Sequence, residues 1–528
     1  MNKRHQAFLV GLALSFLLGA CQSTSKTTSA PDRLTLGTTA SLNSIDPADA
    51  TSSFSGLLLY NLGDRLYTYK LGSQEIVPQL ATAMPSVSPD GLTYKIPLRQ
   101  NVKFHDGTPF NAEAMAFSLN RLLKNGGAAG ALFEAIDTVT ATAPFELTIK
   151  IKDPFTAFPA LLTHPGTCAV SPKAYEIKEK SFKPKEFVGT GPYKLVQYGT
   201  DLIKLEAFNE YWQGKPANAG IDVQLISSGA NLYNAFRTGA IDLAVQGLAI
   251  EQIRNLQDQA KSQGWTMLEV PGGSIDFLVF NLKSPPLDKL EVRQAIAAVI
   301  DRTLIKDRVF DGQIEALYSL VPTNMAAQTP VFEPKPNFDK AKQLLQQAGY
   351  SKEKPLKLEL WYRSNLSNDQ MAALTMKAVG DRSLGGLLKF ELNSVESTSA
   401  YNNLDKGVYP LFILDWSADY FDPDSYIYPL LECSKGDAVK GCEKGQSSSW
   451  GSFYYSKQAN DLIAASRKEG DVNKRSQLFK QLQTLSATDL PYIPLWQSKD
   501  YLFVQKGITG ASLEVTQKVP FWKLRKAK

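Results

Sequence analysis

The sequence predicts an α/β fold from two observations, the strand-like apolar runs and the helical segments that lie between them. Short apolar runs typical of strands are separated along the chain by segments with helical periodicity. Helices that alternate with strands in this way are typical of α/β proteins. The chain has 528 residues, which exceeds what a single hydrophobic core usually holds, so we expect two or three lobes.

The predicted elements follow from the apolar pattern and from capping residues. One long helix is predicted from Asp288, where Glu291 completes a capping box, to Gly312. Two further amphipathic helices are predicted over residues 339–349 and 472–487. The strand-like runs cover residues 34–36, 94–98, 147–151, 221–226, 277–281, 356–362 and 411–416.

The N-terminus has the pattern of an export signal. Lys3 and Arg4 precede an apolar segment, residues 7–18, that is too short to span a membrane comfortably as a mature helix. The segment closes with Leu-Gly-Ala-Cys21, which resembles the bacterial lipoprotein box and implies lipidation of Cys21. An ordinary secretory signal with an incidental cysteine is the alternative. Residues 22–31 are rich in Ser and Thr and predict a solvated tether.

Composition argues against several classes of partner and chemistry. The chain has 57 basic and 52 acidic residues, no basic stripe suited to nucleic acid, and no apolar stretch after the leader that approaches the ~20 residues of a membrane helix. Only His105 and His164 follow the leader, which makes a histidine-based metal site or nucleophile–base pair improbable.

The four cysteines divide among three expected roles. Cys21 is assigned to lipid. Cys433 and Cys442 lie close together in sequence beside glycines, so a small loop disulfide is favoured in a compartment that permits oxidation. A metal site at this pair is the alternative, although no histidine lies nearby. Cys168 is left alone and is expected to be buried and reduced.

Three segments read together resemble the extracellular solute-binding proteins that serve oligopeptide, dipeptide and nickel importers of the ABC type. In residues 90–109, Asp-Gly pairs turn the chain before and after an alternating strand. Residues 188–193 read Val-Gly-Thr-Gly-Pro-Tyr, and their spacing does not fit a nucleotide-binding turn. Residues 414–424 read Leu-Asp-Trp-Ser-Ala-Asp-Tyr-Phe-Asp-Pro-Asp. Residues 292–301 and 490–496 also look like the family.

The third segment carries the candidate ligand site. It is similar to a segment of oligopeptide-binding relatives in which a Trp-x-x-Asp aspartate pairs with the ligand's α-ammonium, and this position is Asp419. The resemblance implies that Trp416, Ser417 and Tyr420 also contribute to the site. The loop backbone could hydrogen-bond an extended peptide, and a carboxylate in a closing cleft would favour a cationic amine over an anion.

Other charges near this segment are interpreted differently. Asp422 and Asp424 are expected to be turn residues around Pro423. Some relatives place arginines on the strand that leads to the tryptophan, where these bind the ligand's C-terminal carboxylate. The corresponding residues 411–415 contain no arginine, and Arg363 and Lys406 are the candidates to replace them. This departure leaves peptide length, and even peptide as the ligand, open.

The resemblance implies a periplasmic-binding-protein-like fold, in which two hinged lobes carry an additional domain inserted in the first lobe. We expect the signal peptide at 1–20 and the tether at 21–31. The first lobe is expected to comprise 32–70, 186–275 and 500–528, the inserted domain 71–185, and the second lobe 276–499. The expected hinges are near 273–281 and 497–504, and a bound solute would stabilise the closed state.

The implied function is capture of peptides, or of another small polar solute, for an integral-membrane ABC permease. The protein is expected to be a monomer in the periplasmic space, anchored by lipid to the outer face of the plasma membrane, without a cofactor, metal or nucleic acid. A receptor for a metal chelate or haem and a surface chaperone or adhesin are alternatives. A hydrolase on the same fold is a further alternative, because paired carboxylates need no fixed sequence spacing, but the chain is expected not to be an enzyme.

Overall fold

The computed structural model describes residues 32–514, 516 and 518–527. The predicted signal peptide, the tether and Cys21 lie outside these residues. The strands are β1 (Arg33–Thr38), β2 (Tyr67–Tyr69), β3 (Ile76–Pro78), β4 (Ser86–Val87), β5 (Thr93–Pro97), β6 (Ile136–Ala143), β7 (Glu146–Ile151), β8 (Tyr193–Tyr198), β9 (Leu202–Ala207), β10 (Gly220–Leu225), β11 (Leu243–Val245), β12 (Thr266–Phe280), β13 (Glu315–Ala316), β14 (Leu356–Arg363), β15 (Leu388–Val395), β16 (Leu411–Ser417), β17 (Lys435–Asp437), β18 (Gly441–Lys444), β19 (Tyr492–Val504), β20 (Ile508–Thr509) and β21 (Arg525–Lys526).

Helices occur between these strands along most of the described chain. They are α1 (Ser53–Leu62), α2 (Ala112–Lys124), α3 (Ala128–Ala131), α4 (Phe158–Leu161), α5 (Gly229–Arg237), α6 (Ile250–Gln263), α7 (Leu290–Ala297), α8 (Arg302–Val309), α9 (Phe338–Gln347), α10 (Ser367–Ser383), α11 (Ser397–Leu404), α12 (Asp424–Leu431), α13 (Gln446–Ser449), α14 (Lys457–Lys468) and α15 (Val472–Asp489). Short 3₁₀ turns cover Pro165–Thr167 and Phe521–Lys523.

One large sheet runs through the molecule in the order β15-β14-β16-β12-β19-β11-β1-β10-β9-β8, with β13 paired to β19. Its central strands β12 and β19 are antiparallel and are 15 and 13 residues long. On one side β19 pairs with β11, and on the other β12 pairs with β16. We call the part built on β1 and β8–β11 lobe I, and the part built on β14–β16 lobe II. The two central strands therefore join the lobes.

The joining strands contain the local irregularity that a bend requires. The pairing of β12 with β19 shifts register between Pro271 and Ile275 and again between Asp276 and Phe277. A bulge of this kind bends a strand and disrupts its ladder locally. The irregular stretch overlaps the predicted hinge at 273–281, whereas the exact domain bounds given above remain predictions.

A separate four-stranded sheet in the order β4-β5-β7-β6 forms an inserted domain together with α2. Its buried core includes Ile96, Phe104, Met115, Leu119 and Ile149, all at most 1% exposed. The positive φ angles of Gly91 (74°) and Gly107 (82°) supply the turns that the Asp-Gly pairs predicted, because a residue without a side chain adopts this conformation readily.

Most predicted elements are present, and one helix was wrongly predicted. Each of the seven strand-like runs overlaps a strand, and the helices predicted at 339–349 and 472–487 correspond to α9 and α15. The single helix predicted from Asp288 to Gly312 is instead two helices, α7 and α8. Asp301 is extended and its side chain accepts a hydrogen bond from the Leu304 N–H, so it caps a new helix where the apolar stripe would have continued.

The cysteines in the described residues follow two patterns. Cys433 and Cys442 form a disulfide that closes a small hairpin of β17 and β18. Cys168 is unpaired and buried, and burial raises the pKa of its thiol to about 11. Among the helices of the described chain, none combines the length and the apolar character needed to cross a membrane.

Candidate ligand-binding site

A cavity of about 210 Å³ lies where lobe I, the inserted domain and lobe II meet. Lobe I contributes the beginning of α1, the β2 strand and the side chains of Arg65 and Lys518. Thr163, His164 and Pro165 come from the loop after α4, and residues 417–421 come from the end of β16 in lobe II. The cavity therefore has walls from both lobes, and three predicted residues, Ser417, Asp419 and Tyr420, lie in its lining.

The loop that carries Asp419 is held by hydrogen bonds to α12. The indole N–H of Trp416 donates to the Ser425 carbonyl over 2.6 Å, and the Asp419 backbone N–H donates to Ser425 Oγ over 3.1 Å. Trp416 does not line the cavity; it packs against Trp450 with 4.9 Å between ring centroids. Trp416 thus supports the loop, whereas Asp419 faces the cavity.

Two bidentate ion pairs fix the remainder of the loop. Asp422 accepts from Arg475 over 2.7 and 2.8 Å, and Asp424 accepts from Arg467 over 2.9 and 2.7 Å. These geometries satisfy both carboxylates within lobe II. They agree with the interpretation of Asp422 and Asp424 as structural residues of the turn.

Asp419 differs from both of its acidic neighbours. Within the described residues its carboxylate forms no hydrogen bond and no ion pair, and burial raises its pKa to about 6. A half-buried carboxylate without a partner is unfavourable for the ligand-free protein. Such a group is suited to bind a cation or a hydrogen-bond donor that enters the cavity.

Aromatic contacts connect the loop to the opposite walls of the cavity. Tyr420 is 8% exposed, packs edge-on against Phe155 of the inserted domain at 5.9 Å and donates to Asp424 over 2.7 Å. The Tyr69 hydroxyl of β2 donates to the Phe421 carbonyl over 3.3 Å. These contacts span the cleft, so the structure represents a state in which the walls of the cavity touch.

The two cations proposed from the sequence lie away from this cavity. The Arg363 side chain is 5% exposed and is engaged by Asp369, over 3.0 and 3.1 Å, and by Asp415. Lys406 is exposed and donates to Asn403 over 3.0 Å. Neither residue is brought near Asp419 in the lining of the cavity.

Sequence reasoning missed the cations that do line the cavity. Arg65 is 2% exposed and Lys518 is half-buried. The sequence offered one signal for Arg65, a charged residue that lies between the apolar runs of α1 and β2. Charged residues in such surroundings are rarely buried unless another group pairs with them. Lys518 belongs to a C-terminal segment without periodicity, and nothing local in the sequence distinguishes it.

The two histidines that the structure describes, His105 and His164, have structural roles in the neutral form. His105 Nε2 donates to the Gly191 carbonyl over 3.0 Å and its Nδ1 accepts from the Gly189 N–H over 3.3 Å. Burial lowers the pKa of His105 to about 4. His164 lines the cavity and its Nδ1 accepts from the Gly166 N–H; burial, then Lys518 and Arg65, lowers its pKa to about 3.

The arrangement favours binding over chemistry. Neither neutral histidine has a nucleophilic hydroxyl or thiol as its hydrogen-bond partner in the described structure. No group of three or more His, Cys, Asp or Glu side chains suited to hold a metal occurs among the described residues. Charged and aromatic side chains at a cleft between two joined lobes are suited to enclose a small polar molecule.

Known proteins match the sequence along most of its length. The chain is 28% identical over 535 residues to the glutathione-binding protein GsiB of Escherichia coli O1:K1 / APEC, covering 96% of each chain. The GsiB of Salmonella typhimurium is 29% identical over 484 residues, covering 88% of this chain and 89% of the relative.

Solved structures share the fold of most of the chain. HbpA2 from Haemophilus parasuis superposes with a TM-score of 0.82 at 20% identity, covering 94% of this chain and 100% of the other. DppA from Helicobacter pylori, in complex with the peptide STSA, superposes with a TM-score of 0.76 at 24% identity, covering 94% of this chain and 98% of the other. These likenesses support a periplasmic-binding-protein-like fold. The model of the bacterial extracellular solute-binding proteins, family 5 middle region, matches residues 75–438, and the chain therefore belongs to family 5 of the bacterial extracellular solute-binding proteins.

Proposed function

We propose that this protein captures short peptides with a free amine in the cavity between its lobes and delivers them to the permease of an ABC importer. The observation that carries the proposal is the unpaired carboxylate of Asp419. A buried or half-buried acid attracts an ammonium group more strongly than an exposed one, because the surrounding dielectric is lower. A peptide amine would also supply the hydrogen-bond donors that the carboxylate lacks.

The relatives support a peptide as the solute. GsiB is named as a glutathione-binding protein, and the solved DppA contains a bound peptide. Glutathione is itself a short peptide with a free amine. A cavity of about 210 Å³ lies below the ~300–1,000 Å³ of pockets for drug-sized ligands, which favours a ligand of few residues.

Capture would proceed by closure about β12 and β19. A ligand held by lobe II through Asp419 and by lobe I through its other end would stabilise the state in which the walls touch. The bulged pairing around residues 271–277 is the part of these strands best able to bend. The permease would then recognise the closed protein, because only the ligand-bound population adopts that shape stably.

The test is native mass spectrometry of the protein as purified, followed by calorimetry with the peptide that is recovered. Retention of a peptide mass and its displacement by added peptide would support the proposal. A nickel–histidine chelate serves as the comparison ligand, since a solved relative, NikZ from Campylobacter jejuni, contains Ni(L-His). Binding of the chelate but of no peptide would refute peptide capture.

The proposal includes export and lipidation at Cys21, which would keep the protein beside its permease. Two or more acyl chains would make membrane attachment stable. Cys21→Ser should abolish lipid labelling and release the protein from the membrane fraction. Unchanged membrane retention together with unchanged lipid labelling would show that Cys21 is not the anchor.

A further inference from the structure

Lobe I presents a buried cation to the cavity, and none of the acids that the structure describes forms an ion pair with it. Arg65 is 2% exposed, and within the described residues its side chain forms no ion pair. Its Nε atom has no hydrogen-bond partner in the part of the chain that the structure describes. Burial of an unpaired guanidinium is strongly unfavourable unless another group neutralises it. The residue therefore points to an anion that is absent from the protein itself.

The neighbours of Arg65 form no ion pair with it within the described residues. The adjacent buried acid, Asp64, attracts Arg65 electrostatically, but its carboxylate accepts four hydrogen bonds from other side chains. The Arg65 guanidinium lies 5.2 Å from the centroid of the Tyr60 ring, and the Cys168 thiol is close enough to interact. Burial raises the pKa of Tyr60, and it raises that of Cys168 to about 11. Both groups are therefore neutral at pH 7. A thiol is also a weak hydrogen-bond acceptor.

Lys518 adds a second cation at the same wall. It packs against α1 so closely that a Cβ atom at Gly56 would lie 3.0 Å from Lys518 Nζ. Burial, then repulsion from Arg65, lowers the pKa of Lys518 to about 8, and Asp500 partly opposes this. The lysine still carries its charge at pH 7. In the described residues no ion pair joins Lys518 to Asp500 or to any other acid.

The other acid in the cavity lining, Glu514, has its own partners. Its two oxygens accept from the Gly72 N–H over 2.6 Å and from the Ser512 hydroxyl over 2.7 Å. Helix α1 begins at the same wall, with Ser52 and Ser53 in the lining. The N-terminus of a helix is positive, which adds to the attraction for an anion there.

We propose that Arg65 and Lys518 form an anion subsite that binds the carboxylate of the ligand while Asp419 binds its amine. This inference rests on the proposed function and narrows it to short zwitterionic peptides with a free C-terminus. Asp419 belongs to lobe II, whereas the two cations belong to lobe I. The two ends of one peptide would therefore bind to opposite lobes. The charges of Asp419 and of the two cations would be neutralised only when a ligand occupies the cleft.

The test compares two matched libraries of dipeptides and tripeptides, one with free carboxylates and one amidated at the C-terminus. Both are titrated against the full chain at pH 7, with displacement read by native mass spectrometry and calorimetry. Loss of a charge-assisted pair predicts that amidation weakens binding about 10- to 100-fold. Equal binding of both libraries would overturn the anion subsite and leave peptide capture intact. Binding of neither library would overturn peptide capture and this inference with it.

Variants of Arg65 and Lys518 test whether these two cations cause the loss of affinity on amidation. In Lys518→Met the penalty for amidation should fall below ~5-fold, because part of the charge that distinguishes acid from amide is gone. Lys523→Met is the matched control, since Lys523 is an exposed lysine of the same C-terminal segment. Arg65→Lys keeps the buried charge but removes the planar fork, and should lower the penalty partially. An amidation penalty unchanged in both Lys518→Met and Arg65→Lys would overturn the assignment.

Discussion

The backbone N–H of Asp419 donates a hydrogen bond to Ser425 Oγ over 3.1 Å. This bond fixes the main chain of the loop, while the Asp419 carboxylate has no partner among the residues that the structure describes. The backbone N–H of Asp419 thus holds the loop, whereas its carboxylate is the group proposed to contact the ligand. A substitution of the side chain can therefore remove the ligand contact and keep the bond that holds the loop.

Asp419→Ala should weaken peptide binding by about 3–5 kcal/mol. The ligand's ammonium would stay in the cavity without its counter-charge, and an uncompensated buried charge costs this much. Calorimetry with the recovered peptide measures the change. Asp339→Asn is the control, because Asp339 is a lobe II aspartate whose side chain is 97% exposed. A loss below about 1 kcal/mol, the size of an exposed pair, would exclude Asp419 as the ammonium ligand.

Peptide affinity should depend on pH with a maximum between about 6 and 8. The pKa of Asp419 is raised to about 6 by burial, so a proton competes with the ligand below that value. An α-amino group titrates near 7.7–8.0, and it loses the charge that Asp419 attracts above this range. Titrations from pH 4.5 to 9 would give the profile. If affinity still fell below pH 6 to the same extent in Asp419→Asn, the group that titrates there would not be Asp419.

Asp419→Asn should stabilise the ligand-free protein at pH 7. A carboxyl with a pKa of about 6 when folded and about 3.9 when unfolded favours unfolding once it is ionised. The loss of folding stability caused by the ionised carboxylate is complete above pH 6, declines as the pH falls from 6 to 4, and vanishes below pH 4. It corresponds to at most about 3 kcal/mol. Denaturant unfolding at pH 7 and pH 4 measures it, and a variant no more stable than the parent at pH 7 would contradict the burial argument.

Local patterns predicted the elements and the loop of the site. The apolar run at residues 411–416 predicted β16, and the motif that includes its end predicted Asp419, which the structure places in the cavity lining two residues after the strand ends at Ser417. The helix over 288–312 was mispredicted because the apolar stripe continues across Asp301, whereas the capping bond to Leu304 becomes evident only once the backbone is known.

The cations of the site required the tertiary structure. Arg363 ends β14, a strand that pairs with β16, but Asp369 and Asp415 neutralise it within lobe II. Arg65 and Lys518 are separated by more than 400 residues and meet only because the C-terminal segment returns to α1. Whether a charge is paired depends on such long-range contacts, which no window of sequence contains.

Arg363→Met should lower the free energy of unfolding by about 3–5 kcal/mol and change peptide affinity by less than ~5-fold. The arginine neutralises two acids, Asp369 and Asp415, and removing it leaves them unpaired in a largely buried cluster. Lys406→Met is the comparison, and as an exposed surface change it should shift stability by at most about 0.5 kcal/mol. A large loss of affinity at unchanged stability would instead make Arg363 a ligand contact.

His105→Ala should lower the free energy of unfolding by about 2–4 kcal/mol. His105 connects the turn of the inserted domain to the strand entry at residues 188–193, through the Gly191 carbonyl and the Gly189 N–H. Both backbone groups would lose their partner in a buried site, and each such loss costs about 1–3 kcal/mol unless water replaces the ring. His105→Gln can still donate to the Gly191 carbonyl and should recover part of the loss. The folded ring is neutral, with a pKa of about 4, whereas an unfolded histidine titrates near 6.5. The unfolded parent therefore binds a proton that the folded parent does not, and the difference between His105→Ala and the parent should shrink by about 0.8 kcal/mol as the pH falls from 8 to 6. A difference that stays constant or grows as the pH falls across this range would show that the ring is protonated when folded, and the hydrogen-bond roles assigned to its two nitrogens would then be wrong.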